Sequence, residues 1–159
     1  MAADLRGRVA RAEKRARMSL YYSRIYPDAV ACLRKHKQLG HRVVLLSGAL
    51  DFLLDPMKDL ADDVLCASLQ EENGSYTGEL SGAPVAGEAR ARMLASYARR
   101  RGVDLRRSYA YADSISDLPM LEAVGNPVAV NPDRRLAAAA KSREWKIQRW
   151  SKNGAVNKA

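Results

Sequence analysis

Apolar positions along this chain switch between two spacings, and the switches divide it into elements. Leu5, Val9, Ala12, Ala16 and Leu20 recur at three- and four-residue steps, which predicts a helix over 5–20. Pro27 suits the first turn of a second helix, whose apolar face is Ala29, Val30, Leu33 and Leu39 and whose stop is Gly40. Val43 to Leu46 is an uninterrupted apolar run, the pattern of a strand covered on both faces, so a parallel sheet is expected. Ser47-Gly48 punctuates it, Asp51 to Ala61 reads as helical, and Val64 to Leu69 is a second strand. Asn73-Gly74 is the strongest hairpin signal in the chain. Gly87 to Arg101 reads as a helix with Met93, Leu94 and Tyr97 on one side, ended by Gly102. Then follow a strand (Ser108 to Ala112), a short helix (Ser116 to Val124), a strand (Pro127 to Val130), a helix (Pro132 to Ala140) and a last strand (Trp145 to Trp150). Strands alternating with helices predict an α/β sandwich on a mainly parallel sheet. No internal repeat or linker interrupts the pattern, so one folding unit is expected.

Composition narrows the class. A chain of 159 residues, 47% hydrophobic and 28% charged, has the balance of one soluble globular domain. Two cysteines, Cys32 and Cys66, cannot form a disulfide-dense secreted scaffold. No apolar run approaches the ~18 residues of a membrane-spanning helix. The basic N-terminal stretch lacks the apolar segment of a secretory signal, so a cytoplasmic location with reduced thiols is expected. The formal charge of +9 is unevenly placed. Residues 1–24 carry seven Lys/Arg against two Asp/Glu, residues 134–159 eight against one, and residues 25–133 twelve against fifteen. Basic ends around a mildly acidic centre fit either attraction to phosphate backbones or anionic lipid, or simply a solvated helix face at each end. The solvated face is the plainer reading, because no aromatic residue interleaves the N-terminal run and nucleic acid is not otherwise called for. Trp145 and Trp150 fit a short strand at least as well as a stacking platform.

In open parallel sheets ligands bind beyond the carboxyl ends of the strands. Two strands here end in suitable residues. Ser47-Gly48 offers a hydroxyl and accessible backbone N–H groups for an oxyanion, although Ser-Gly also marks ordinary turns. Asp113 ends the 108–112 strand, with Ser114, Ser116 and Asp117 following. Carboxylates so placed suit Mg²⁺, which takes oxygen ligands and keeps several waters. Equally, Asp113 or Ser114 caps the next helix and Asp117 favours its positive end. Arg90 falls near the start of a helix, where a guanidinium can clamp phosphate, although its neighbours Arg92, Arg99, Arg100 and Arg101 read as a solvated face and nothing local singles Arg90 out. His36 and His41 flank the first buried strand without a carboxylate or Cys at metal spacing, so a structural role is favoured. Cys32 and Cys66 read as core thiols, and Tyr109 and Tyr111 as residues packed against helices.

In this order and spacing, Val43-Val44-Leu45-Leu46-Ser47-Gly48, Gly87-Glu88-Ala89-Arg90 and YADSISDLPMLEAVG followed by PVAVNPD resemble the second, third and fourth motifs of the haloacid dehalogenase superfamily, in its phosphoserine-phosphatase-like subfamily IB. The resemblance runs from about Tyr26 to Trp150. It implies a Rossmann-like α/β core with a helical cap, and a Mg²⁺-dependent hydrolase of small phosphorylated metabolites working through a phospho-aspartate. Carried over, Asp113 would bind Mg²⁺, and Asp117 would support the metal or hold the third-motif cation. Ser47, Gly48 and Ser116 would contact phosphate. Arg90 stands where the family usually has Lys and would offset charge on the phospho-enzyme.

The first motif of that family, DxDxT, supplies the nucleophilic and acid/base carboxylates, and no DxD occurs in the 159 residues. The resemblance therefore implies that 1–25 is the remnant of a helical cap and 26–159 an incomplete core, from a truncated gene model, a split gene or a decayed paralogue. Covalent phosphoryl transfer needs a positioned nucleophile, so the isolated chain is expected to be inactive. In the family the first strand lies between the 43–46 and 109–112 strands. Without it their apolar edges face a gap. Direct pairing, a strand-swapped homodimer or a complementing fragment would close it. The two competing readings are a non-catalytic phosphate and Mg²⁺ binder, and a basic nucleic-acid or membrane-surface module.

Overall fold

The computed structural model describes residues 25–82 and 84–152. The helix expected over 5–20, and with it the cap remnant, lies outside the described residues. The chain divides into two compact units rather than the single one its sequence pattern indicates. One unit contains residues 25–43, 55–62 and 150–152 of the described chain; the other contains Val44–Leu54 and Asp63–Arg149. Each unit is assembled from separate stretches, so no linker marks the division in sequence.

In the first unit, helix α1 (Pro27–Gln38) starts with proline at its first turn, as expected. His41 follows it, with its Nδ1 2.9 Å from that of His36. Burial, His41 and Lys35 hold the His36 imidazole below its ordinary pKa. The Asp62 carboxylate accepts from the Val43 N–H at 2.7 Å, and the Asp62 N–H donates to the Val43 carbonyl at 2.8 Å.

The second unit carries the three sheets. Strand β1 (Val44–Leu50) pairs in parallel with β2 (Asp63–Ala67). It does not stop at Ser47-Gly48 as expected: it continues to Leu50 after a break in the ladder between Leu46 and Leu50. The helix expected over 51–61 is a single turn, α2 (Asp51–Leu54), followed by a 3-10 segment at Asp55–Leu60. The sequence has proline at 56, and a proline has no N–H with which to continue an α-helix. Strands β3 (Leu69–Glu72) and β4 (Ser75–Leu80) form the expected antiparallel hairpin. Asn73 and Gly74 both take positive φ, 51° and 77°, as a type I′ turn requires.

Helix α3 (Gly87–Arg101) has the expected bounds and ends on a left-handed Gly102. Beyond it β5 (Tyr109–Ala112), β6 (Asn126–Val130) and β7 (Lys146–Gln148) form a parallel sheet in that order. Helices α4 (Leu118–Glu122) and α5 (Arg134–Ser142) connect these strands. Leu121, Leu136, Ala129 and Ala140 have no exposed surface and join Ala110 and Met120 in one core. Each buried leucine removes enough apolar area from water to stabilise by ~1.5–3 kcal/mol. Trp145 packs against this core and not as an open platform; the Arg143 guanidinium lies 5.4 Å from its ring centre. Tyr109, expected to pack against a helix, is instead 48% exposed.

Leu46 of β1 and Leu94 of α3 also pack against the core around Ala110, so β1 and β5 belong to one body. Yet among the described residues β1 has only β2 as neighbour and β5 only β6. The direct pairing that would close a gap between them is not formed.

Candidate functional site

The site is built at the carboxyl ends of β1 and β5, where α3 begins. Arg90 lies in the first turn of α3, and its guanidinium is held from two sides. Nη1 donates to the Asp117 carboxylate in a close ion pair. Nη2 donates to the Val85 carbonyl at 3.2 Å. The pair is sheltered, with 17% of the Arg90 side chain and 7% of the Asp117 side chain exposed. Arg90 Nε is buried and has no hydrogen-bond partner among the described residues.

Gly48 lies beneath this pair. A Cβ at that position would meet the Val85 carbonyl oxygen at 2.9 Å and Arg90 Nη2 at 3.7 Å. The residue is glycine because a side chain would displace the carbonyl that holds Arg90. Ser47 is half-buried, and its hydroxyl accepts from the Ala49 N–H at 3.1 Å, which folds the backbone around Gly48.

On the β5 side, Asp113 follows the strand and is exposed. Asp117 closes a 3-10 turn at Ile115–Asp117 whose start is capped by Ser114, its hydroxyl accepting from the Ser116 N–H at 3.3 Å. The Ser116 hydroxyl donates to Ser114 Oγ at 3.1 Å. Burial lifts the Asp117 carboxyl above its usual range, Arg90 opposes that shift, and Asp113 adds to it. Asp113 and Asp117 flank the same short loop after β5. Arg90, Asp117 and Gly48 thus converge, Ser116 lies on the same turn as Asp117, and Asp113 stands at the start of that loop.

Two residues that sequence reasoning passed over complete the site. Val85 is 4% exposed and supplies the carbonyl that fixes Arg90. Asp133 holds the loop after β5: its carboxylate accepts from Ile115 N–H at 2.8 Å and Leu136 N–H at 2.7 Å. Its own N–H donates to the Asp113 carbonyl at 2.8 Å. The Leu136 and Ile115 amides keep its carboxyl below the usual range. An Asp after Asn-Pro just before a helix is a capping signal, but that it reaches back to the Asp113 loop is not visible in one dimension.

The donor set tests the expected Mg²⁺. Among the described residues no group of three or more His, Cys, Asp or Glu could hold a metal. Asp117 is committed to Arg90, which leaves the exposed Asp113 as the carboxylate available at this end. Such a set does not make an all-protein cage. It fits a largely hydrated Mg²⁺, which needs only one or two carboxylates beside water and phosphate oxygens. Asp113 would hold such an ion, which would supply charge neutralisation for a bound phosphate.

The chain thus has an α/β core with the Arg90–Asp117 pair near its strand ends. Residues 1–122 match the haloacid dehalogenase-like hydrolases, and the chain belongs to that family. Within it the chain is phosphoserine-phosphatase-like. It is 45% identical over 76 residues to a phosphoserine phosphatase of Mycobacterium tuberculosis, covering 48% of this chain and 25% of that one. It is 38% identical over 126 residues to an inhibition of morphological differentiation protein of Streptomyces azureus, covering 77% of this chain and 45% of the relative. A crystal structure of a Bordetella pertussis protein of unknown function superposes with a TM-score of 0.70 at 29% identity, covering 76% of this chain and 56% of that one. The chain spans about half or less of the length of these relatives. No described helix is long and apolar enough to cross a membrane.

Proposed function

We propose that this chain forms the phosphate-binding half of a phosphomonoesterase site for small phosphorylated metabolites. The observation that carries the reading is the Arg90 guanidinium, pinned by Asp117 and Val85 over Gly48 at the strand ends. A sheltered, fixed cation beside accessible backbone is an anion site, and a guanidinium presents a fork that suits phosphate. Ser47 and Ser116 are the hydroxyls offered to phosphate oxygens, and Asp113 is the carboxylate offered to Mg²⁺. Arg90 in the place usual for Lys keeps the charge and gains the second hold on Val85.

Isothermal titration and thermal melting with inorganic phosphate, with and without Mg²⁺, test the reading. Phosphate at about 100 times its dissociation constant raises stability by ~2.7 kcal/mol, and Mg²⁺ strengthens phosphate binding in wild type but not in Asp113→Asn. No phosphate binding with or without Mg²⁺ sinks the reading.

That β1 and β5 are not paired with each other among the described residues favours a second element of the same reading: a further strand between them, in a second chain or fragment, completes the site. Phosphotransfer through aspartate needs a nucleophile on that element, since no DxD occurs in this sequence. Hydrolysis of p-nitrophenyl phosphate is then expected only when a DxDxT-bearing fragment is added. Equal turnover without it would overturn the complementation.

A further inference from the structure

The opposite end of α3 carries a second cationic feature that the phosphate site does not use. Arg99, Arg100 and Arg101 close the helix, and Arg106 and Arg107 follow on a 3-10 turn at Leu105–Arg107. All five are exposed. They fall within nine residues of a central region whose acidic residues outnumber its basic ones, so the cluster is local and not part of the basic ends.

Geometry separates this cluster from the candidate site. Arg90 and Arg101 stand at opposite ends of the same helix, about 16 Å apart at 1.5 Å per residue. The turn leads into the amino end of β5, whereas Asp113 follows its carboxyl end. The cluster is also held in place. Gly102 turns the chain in the left-handed conformation, and the Val103 N–H returns to the Ala98 carbonyl at 2.9 Å. The Asp104 carboxylate caps the turn through the Arg106 N–H at 2.9 Å, and the Gly125 N–H donates to the Leu105 carbonyl at 2.9 Å.

Its charge is largely uncommitted. Arg101 pairs with Asp63 at 3.2 Å, and Arg100 donates to the Ser96 hydroxyl at 2.8 Å. Arg99, Arg106 and Arg107 form no ion pair among the described residues. Between Ala89 and Ala112, Asp104 is the single acidic residue.

We propose that this arginine end of α3 binds the phosphate backbone of single-stranded nucleic acid. Exposed guanidiniums on a fixed helix end and turn suit the phosphates of a nucleic-acid backbone, each by the bidentate geometry a planar fork allows. The half-exposed Tyr109 ring comes two residues after Arg107 in the chain, where a base can stack. A duplex groove reader needs a helix laid along the groove, and here the helix presents only its end. A membrane anchor needs an apolar wedge among the cations, and Val103 and Leu105 are both partly covered.

The test is fluorescence anisotropy of a labelled oligonucleotide of about 20 nucleotides, titrated with the full chain over a series of salt concentrations. Arg99→Ala/Arg106→Ala/Arg107→Ala is compared with Arg134→Ala/Arg135→Ala/Lys141→Ala, which removes three exposed cations from α5. Melting curves establish that both triples remain folded. The first triple is expected to lower affinity at low salt by about tenfold or more and to lower the slope of log K against log salt by about 2, as three lost phosphate contacts require. The α5 triple is expected to change both much less, and Tyr109→Leu to weaken binding about fivefold. Equal losses in the two triples would mean attraction by net charge alone and would overturn the proposal. So would no binding at low salt, or tighter binding to vesicles containing about one-third phosphatidylserine than to the oligonucleotide.

Discussion

Two parallel sheets in one unit show what an apolar strand needs in order to be buried. β5–β6–β7 and β1–β2 arise from similar sequence: short apolar runs ending in polar residues. Around the first, α4 and α5 supply Leu121 and Leu136, and Val128, Ala129 and Val130 of β6 are buried. In the second, only Ala67 of β2 is buried and every residue of β1 keeps part of its surface in water. The difference lies in neighbours, not in hydrophobicity. Among the described residues β6 has a strand on each side, while β1 has one. An apolar run therefore reports the capacity for burial, and the partners decide whether it is realised.

The largest expected effect tests that contrast directly. Leu136→Ala empties a fully enclosed position and should destabilise by about 3 kcal/mol in chemical denaturation. Leu45→Ala in the half-covered β1 should cost about 1 kcal/mol. Equal costs would mean that β1 is as well packed as the three-stranded side.

Arg90 joins the two sides, since it holds Val85 next to β1 and Asp117 next to β5. Arg90→Ala leaves a sheltered carboxylate without its cation, an arrangement that costs about 3 kcal/mol. Arg90→Lys keeps the charge but cannot hold both partners, so it should recover part of this loss. The exposed Arg92–Glu88 pair is the control, and Glu88→Ala should change stability by less than ~0.5 kcal/mol. A loss at Arg90 no larger than at Glu88 would show that the pin contributes nothing.

Gly48→Ala comes next. Its Cβ would enter the 2.9 Å space to the Val85 carbonyl, and a backbone atom moves less readily than a side-chain tip. About 1–2 kcal/mol is expected, together with weaker phosphate binding, because Arg90 loses its second hold. Stability loss with unchanged phosphate binding would separate Gly48 from the site.

How much of this was legible in the sequence depended on the range of the interaction. Local signals read well: Asn73-Gly74 in the hairpin, Gly102 at the end of α3, Pro27 at the start of α1. Ser47-Gly48 was misread as the end of β1, because a ladder break and a strand end have the same one-dimensional signature. The length of the 51–61 helix failed on Pro56. At the site, Asp113, Asp117, Ser47, Gly48 and Arg90 were named from spacing and resemblance. The resemblance leaves two roles open for Asp117, and its ion pair with Arg90 is a contact across 27 residues that spacing alone does not show. Val85 carries no signal at all, because its contribution is a backbone carbonyl. The division into two units was invisible, because each is assembled from stretches far apart in sequence.

The smallest effect concerns Asp133, on the well-packed side. Its carboxylate is held below the usual range by the Leu136 and Ile115 amides, so the folded state favours the charged form. The unfolded chain then binds protons more readily as pH falls. The contribution of Asp133 is complete above the ordinary carboxylate range and is lost as pH drops through its depressed value. Unfolding measured from about pH 6 down to about pH 3 should show wild type losing stability faster than Asp133→Asn, which has no charge to lose. Amide exchange at Ile115 and Leu136 should quicken in the same window. Parallel pH profiles for the two proteins would mean that Asp133 acts as a cap regardless of charge, and that the loop carrying Asp113 is held by the backbone bond from the Asp133 N–H to the Asp113 carbonyl.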